Sequence, residues 1–233
     1  MSAPVERAQT RRAERQSRDM EPGSRSLTAR LRSRIERTVP AGQALPDRQP
    51  AYVSSWVYVF GVASLAAFLV VLVSGGILAV GGSVWWHHSS LGHFVNSLHL
   101  WSVELFFAVM VIHLWGKFWM AAWRGGRAWT WITGVVLFLA SIGTAFTGYL
   151  SQTNFDSQWI STQAKDGLNS VAVGAWFNVL NTAQMLLWHV VLLPAIVGVV
   201  IIVHVVLVRR HGVVPPIDTE TNVETPDTTE ARS

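Results

Sequence analysis

Four histidines stand inside long apolar runs, His99 and His113 in one and His189 and His204 in another. A histidine at membrane depth is costly unless it meets a partner, so each is a candidate functional group. For any one of them, an internally packed, hydrogen-bonded imidazole is the plain alternative. Spacing narrows the choice. His99 and His113 are fourteen residues apart, which on an α-helix returns the side chain to within about 40° of the same face, roughly 21 Å further along. His189 and His204 are fifteen apart, within about 60° of one face and roughly 22 Å apart. One further apolar run separates the two helices, so they run in the same direction. His99 then shares a depth with His189, and His113 with His204. Two imidazoles are too few for zinc, which takes four ligands, and no carboxylate sits beside them to complete a di-iron site. A haem brings four ring nitrogens and needs two axial ligands. Two axial histidines leave no open position, which suits electron transfer. These residues point to two non-covalent b-type haems, one held by His99/His189 and one by His113/His204.

The other two apolar runs carry glycine pairs at the same interval: Gly61 and Gly75, then Gly134 and Gly148, each fourteen apart. Glycine weakens a helix by roughly 1 kcal/mol relative to alanine, and in return it lets something bulky approach the backbone. The shared period suits helices pressing on flat cofactors held by the histidines; ordinary small-residue helix packing is the alternative.

The elements that must position these residues are legible as four runs, about Ser54–Val80, Leu98–Met120, Trp129–Leu150 and Leu186–Val208. Each is near the roughly 20 residues a helix needs to cross a bilayer, and in lipid such runs read as helices because the backbone must satisfy itself. The expected fold is all-α, an integral membrane four-helix bundle over 51–211, between a basic tail (1–50) and a polar tail (212–233), both disordered by composition. Between the third and fourth helices lie about 35 residues, long for a bundle loop, with a short amphipathic helix expected from Val171 to Thr182.

Charge sets the orientation. The chain is 50% hydrophobic and 14% charged, against roughly 25% charged for an average soluble protein. The first fifty residues hold eleven arginines against six acids. Lys117 ends the second helix, Arg124 and Arg127 follow it and Arg209 and Arg210 end the fourth, whereas the two remaining connections hold only Lys165 between them. By the positive-inside rule both termini face the cytoplasm, in a bacterial-type plasma membrane. Most of the twelve tryptophans lie near helix ends, as in an interfacial belt. The basic N-terminus reads as a topology signal rather than a nucleic-acid site. The absence of cysteine excludes disulfides, iron–sulfur ligation and thioether-attached haem in this chain.

With these residues in view, the sequence resembles cytochrome b of the quinol-oxidising bc and bf complexes, most closely the split form in which the four haem-binding helices are a separate polypeptide. The resemblance covers about Val53 to Pro216. It rests on LHLWS (Leu98–Ser102), RAWTWITGVVL (Arg127–Leu137), TGYL (Thr147–Leu150), the offset from His189 to Pro194, RRHGVVPP (Arg209–Pro216), and the histidine and glycine spacings. It implies a low-potential haem on His99/His189 near the outer face and a high-potential haem on His113/His204 near the cytoplasmic face. It further implies quinol and quinone as substrates, a partner chain supplying the remaining cytochrome b helices, and an iron–sulfur protein and cytochrome c as partners. The sequence departs from the family in three places. Asn96 stands where an arginine is usual, Leu100 where a basic residue often follows the first ligand, and Ser151–Trp159 lacks the usual proline motif.

Lys117 and Arg209, just beyond His113 and His204, suit haem propionates or a quinone, with positive-inside anchoring as the alternative. Glu104 lies roughly 140° around the helix from His99 and points away from the haem face. His87, His88 and His93 suggest metal or proton handling, or simply solvated interfacial histidines. A dihaem membrane anchor for another oxidoreductase and a non-haem scaffold or transporter are the competing functions.

Overall fold

A computed structural model of the chain describes residues 34, 37, 51–152 and 154–217. Arg34 and Arg37 are helical, which the expected disorder of the N-terminal tail did not include. The rest of that expectation, for 1–50 and 218–233, lies outside the described residues. The described residues from Ala51 onward form one compact unit.

After two 3₁₀ turns, Ala51–Ser54 and Trp56–Tyr58, come α1 (Val59–His88), α2 (Ser90–Trp119) and α3 (Ala128–Leu150). Then follow α4 (Phe155–Ser170), α5 (Thr182–Leu187), a π-helical segment (Trp188–Leu192) and α6 (Leu193–His211). The last three are continuous and form one span. Among the described residues, four helices are long and apolar enough to cross a membrane: Trp56–His88, Ser90–Trp119, Ala128–Leu150 and Thr182–His211. Few residues of any span are buried in the chain itself. Leu69, Val73, Val80, Leu139 and Ile202 are among many exposed apolar side chains, as lipid-facing helices require.

The connection expected between the first two helices, 81–97, is almost wholly helical. Helices end where a cap or a breaker stops them, not where hydropathy falls. Gly82, at φ 75°, puts a kink in α1. The break comes at Ser89, whose side chain accepts from the Gly92 N–H at 2.9 Å and starts α2. A second correction concerns the long connection. The amphipathic helix expected at Val171–Thr182 is absent, and α4 lies upstream of it. Asn154 caps α4 by accepting from the Ser157 N–H, whereas Ala172 takes a left-handed φ of 61° that no helix interior tolerates. α4 packs back on the bundle end through Ile160, Ala164 and Leu168, against a cluster centred on Leu150, Val179 and Met185.

α1 packs chiefly on α2, and α3 on the fourth span, while α2 and α3 touch only sparsely. The chain is therefore two helix pairs set face to face. At mid-height they are tied by a small core of Ala67, Phe106 and Met110, with Phe68 and Phe138 packed on it. The segment 212–217, expected to be disordered, is instead held at the end opposite α4. Gly212, at φ 70°, turns the chain out of α6, and Val214 is only 3% exposed.

Candidate functional site: paired histidines between the helix pairs

His99 on α2 and His189 in the π segment face each other across the two helix pairs. Their ring centroids are 6.1 Å apart and their planes stand at 83°. The apolar cavity here is lined by both imidazoles with Gly75, Phe106, Ser141 and Val197. The Ser141 hydroxyl is buried without a partner.

Hydrogen bonding decides which ring nitrogen carries the proton. The Thr144 carbonyl lies 2.8 Å from His189 Nδ1, and a carbonyl can only accept, so Nδ1 is protonated and donates. The Ser74 hydroxyl donates its single proton to the Val70 carbonyl at 2.6 Å. It is therefore free only to accept from His99 Nδ1, 3.0 Å away. Thr133 repeats this arrangement: it donates to the carbonyl of Thr130 at 2.9 Å and accepts from His204 Nδ1 at 3.0 Å. Three of the four imidazoles are thus set as the Nδ1–H tautomer, which leaves the Nε2 lone pair to bind a metal. His113 differs, because its Nδ1 is buried with no partner.

The four glycines fall against the four imidazoles. A Cβ at Gly75 would stand 3.0 Å from His99 Cε1, one at Gly61 3.1 Å from His113 Cε1, and one at Gly134 3.4 Å from His204 Cε1. At Gly148 it would collide with His189. Helix α1 therefore backs both histidines of α2, and α3 backs both histidines of the fourth span.

The π segment accounts for the unequal intervals. Pro194 has no N–H, and its ring conflicts with the carbonyl of Val190 four residues back. The helix relieves this by widening into a π turn, which takes in one extra residue. The fifteen residues from His189 to His204 then act like the fourteen from His99 to His113.

A haem fits this donor set. Both imidazoles line one cavity with Nε2 left free of the Nδ1 hydrogen bonds, and no group of three metal-ligating side chains forms there among the described residues. Two metal–imidazole bonds of about 2 Å each, added to the ring radii, come close to the observed centroid separation.

Lys117, one turn beyond His113, is half-buried, with Nζ 3.8 Å from the Tyr58 ring centroid. Arg209 is exposed at the end of α6, and Glu104 is exposed on the outward side of α2. Asp156, Lys165 and Asp166 lie exposed on α4. His93 Nε2 donates to the His87 carbonyl at 2.7 Å, but no group of three or more His, Cys, Asp or Glu among the described residues is placed to hold a metal. Sequence reasoning passed over Ser74 and Thr133. The available signal was a hydroxyl residue directly before a glycine of the pattern, at Ser74–Gly75 and Thr133–Gly134; Thr147–Gly148 repeats it, but there the Thr144 carbonyl meets His189, and before Gly61 stands Phe60, the matching His113 being the imidazole with no partner at Nδ1.

Comparison with known proteins bears on this arrangement. The family model described as cytochrome b (N-terminal)/b6/petB matches residues 104–231. The cytochrome bc complex cytochrome b subunit of Chlorobaculum thiosulfatiphilum is 29% identical over 195 residues, which is 72% of this chain and 44% of that protein. Cytochrome b6 of Heliobacterium modesticaldum is 25% identical over 189 residues, 72% of this chain and 89% of that protein. The menaquinol:cytochrome c reductase cytochrome b subunit of Bacillus subtilis is 25% identical over 191 residues, 70% of this chain and 84% of that protein. Among solved structures, a chain of the hyperthermophilic respiratory Complex III superposes with a TM-score of 0.66 at 19% identity, over 86% of this chain and 57% of that chain. This chain thus spans less than half of the Chlorobaculum subunit.

Proposed function

Because this chain belongs to the cytochrome b (N-terminal)/b6 family, we propose that it carries electrons across the membrane through two bis-histidine b-type haems, as the cytochrome b subunit of a quinol-oxidising complex. The observation that carries the reading is the facing pair His99 and His189, 6.1 Å apart, with both Nδ1 protons committed elsewhere. Bound haem iron supplies reversible one-electron chemistry. The protein's part is to hold the ligands. Ser74, Thr133 and the Thr144 carbonyl orient the imidazoles, and orientation of this kind is worth roughly 10–100-fold in metal affinity. Gly61, Gly75, Gly134 and Gly148 leave room for the rings. Apolar walls around Phe106 and Val197 keep water from the outer pair.

His99 and His113 stand fourteen residues apart on one helix, roughly 21 Å along it, so each site lies near one membrane surface. The His113/His204 site shares its end with Lys117, Arg124, Arg127, Arg209 and Arg210, and we assign that end to the cytoplasm. Lys117 and Arg209 there supply positive charge for haem propionates or a quinone headgroup. Quinol from the membrane pool is the substrate. A partner chain supplies the remaining cytochrome b helices, with an iron–sulfur protein and cytochrome c as further partners.

The test is the dithionite-reduced minus oxidised spectrum of the purified chain, with haem quantified per polypeptide. Two low-spin b-type haems are expected, and one in His99→Ala. A folded, haem-replete preparation that binds none refutes the reading.

A further inference from the structure

The segment after α6 has no helix or strand to satisfy its backbone. Side chains from elsewhere do so instead, carbonyl by carbonyl. Arg127 Nε donates to the Gly212 carbonyl at 3.3 Å, and the Tyr52 hydroxyl reaches that of Val213 at 3.4 Å. The Tyr58 hydroxyl donates to the Val214 carbonyl at 2.8 Å, and Arg124 Nη2 to that of Pro215 at 2.6 Å. Pro215 and Pro216 have no N–H to satisfy, and the Val214 side chain is buried. Residues 212–216 thus form an ordered strap that ties the N-terminal turns to the α2–α3 connection.

Among these four side chains, Tyr58 is the one whose ring also meets Lys117. While its hydroxyl holds the strap, its ring face carries the Lys117 ammonium at 3.8 Å, a cation–π distance. Lys117 Nζ also lies 3.9 Å from the Met120 sulfur. No described carboxylate is near. Glu104 lies thirteen residues back along the same helix, roughly 20 Å away, and Asp156 and Asp166 sit on α4 at the opposite end. Lys117 follows His113 by one turn on the same helix. A half-buried ammonium with no counter-ion among the described residues is free to swing towards water unless something holds it.

We propose that Tyr58 is a positioning residue for the His113/His204 site: latched at its hydroxyl by the strap, it holds the Lys117 ammonium on its ring and keeps that charge beside the cofactor. This rests on the two-haem reading. A fixed cation favours the less positive, reduced form of a neighbouring haem, so the strap sets the reduction potential of one haem and leaves the other alone.

Two measurements on the full chain decide it. The first is amine-reactive labelling followed by mass spectrometry. The chain has only two lysines, Lys117 and Lys165, and the exposed Lys165 is the internal reference. Lys117 should label more slowly than Lys165, and severalfold faster in Tyr58→Leu and in Tyr58→Phe, which keeps the ring but loses the latch. The second is an optical redox titration. Lys117→Gln and Tyr58→Leu should lower the midpoint of the same haem, the one missing from His113→Ala, with a smaller fall in Tyr58→Phe. Unchanged labelling in both Tyr58 variants, a shift in Lys117→Gln alone, or a shift in the His99/His189 haem would each overturn the proposal. A wild-type chain without haem would instead remove the cofactor reading, and the labelling alone would then decide whether Tyr58 holds Lys117.

Discussion

Each imidazole has a glycine behind its ring, and all but His113 also have a hydrogen-bond acceptor at Nδ1. The two kinds of contact make separable predictions. Ser74→Ala removes the acceptor from His99, and Thr133→Val that from His204, while the helices keep their shape. Each should loosen one haem by on the order of tenfold, read as faster transfer of haem to an apo-globin acceptor, with the second haem retained normally. Equal loss from both sites would show that the hydroxyls act on the fold rather than on their own histidine. The glycine positions should rank by the space a methyl would find. Gly148→Ala meets His189 hardest, Gly75→Ala and Gly61→Ala stand at 3.0 and 3.1 Å from their rings, and Gly134→Ala at 3.4 Å. Haem content per chain should fall most at Gly148 and least at Gly134; a different order would place the crowding somewhere other than the imidazoles.

At the level of the helix, the fourth span shows how one proline sets register. His189 lies inside the π segment because Pro194 cannot accept an ordinary α-helical turn behind it. Pro194→Ala permits that turn. The extra residue then has nowhere to go, and His189 rotates by up to about 100° relative to His204. The spectrum should lose the His99/His189 haem and keep the other. Deleting Val191 in the Pro194→Ala background restores a fourteen-residue interval in a plain helix and should restore the second haem. If Pro194→Ala alone keeps both haems, the π turn is not what aligns the pair.

For the whole molecule, the strap and the α2–α3 connection lie at one end and α4 at the other, as an even number of spans allows. The chain has no cysteine, so single cysteines report sidedness without a background. In intact cells a membrane-impermeant maleimide should label Asp166→Cys directly, and Arg210→Cys only after permeabilisation. The reverse pattern would invert the orientation and put the His113/His204 site on the outside.

Much of this was already present in the residue order. The four spans follow from hydropathy because lipid leaves the backbone no alternative to the helix. His99/His113 and both glycine pairs share a fourteen-residue interval, which His189/His204 miss by one, and local helix geometry converts these spacings into faces and depths. The outward direction of Glu104 follows from the same arithmetic. What the sequence could not specify depends on contacts between distant segments. That Ser74 and Thr133 accept rather than donate depends on which carbonyl stands a turn behind them and which ring stands opposite. The interval of fifteen works as fourteen only because a proline five residues on opens the helix. Composition reads the strap as part of a disordered tail because its carbonyls are satisfied by Tyr52, Tyr58, Arg124 and Arg127, donors between roughly 85 and 160 residues away in the chain, and composition carries no trace of a partner so far off. Periodicity within a helix is a local property and can be read from the order of residues; satisfaction across helices is a tertiary one, decided only when the two pairs come face to face.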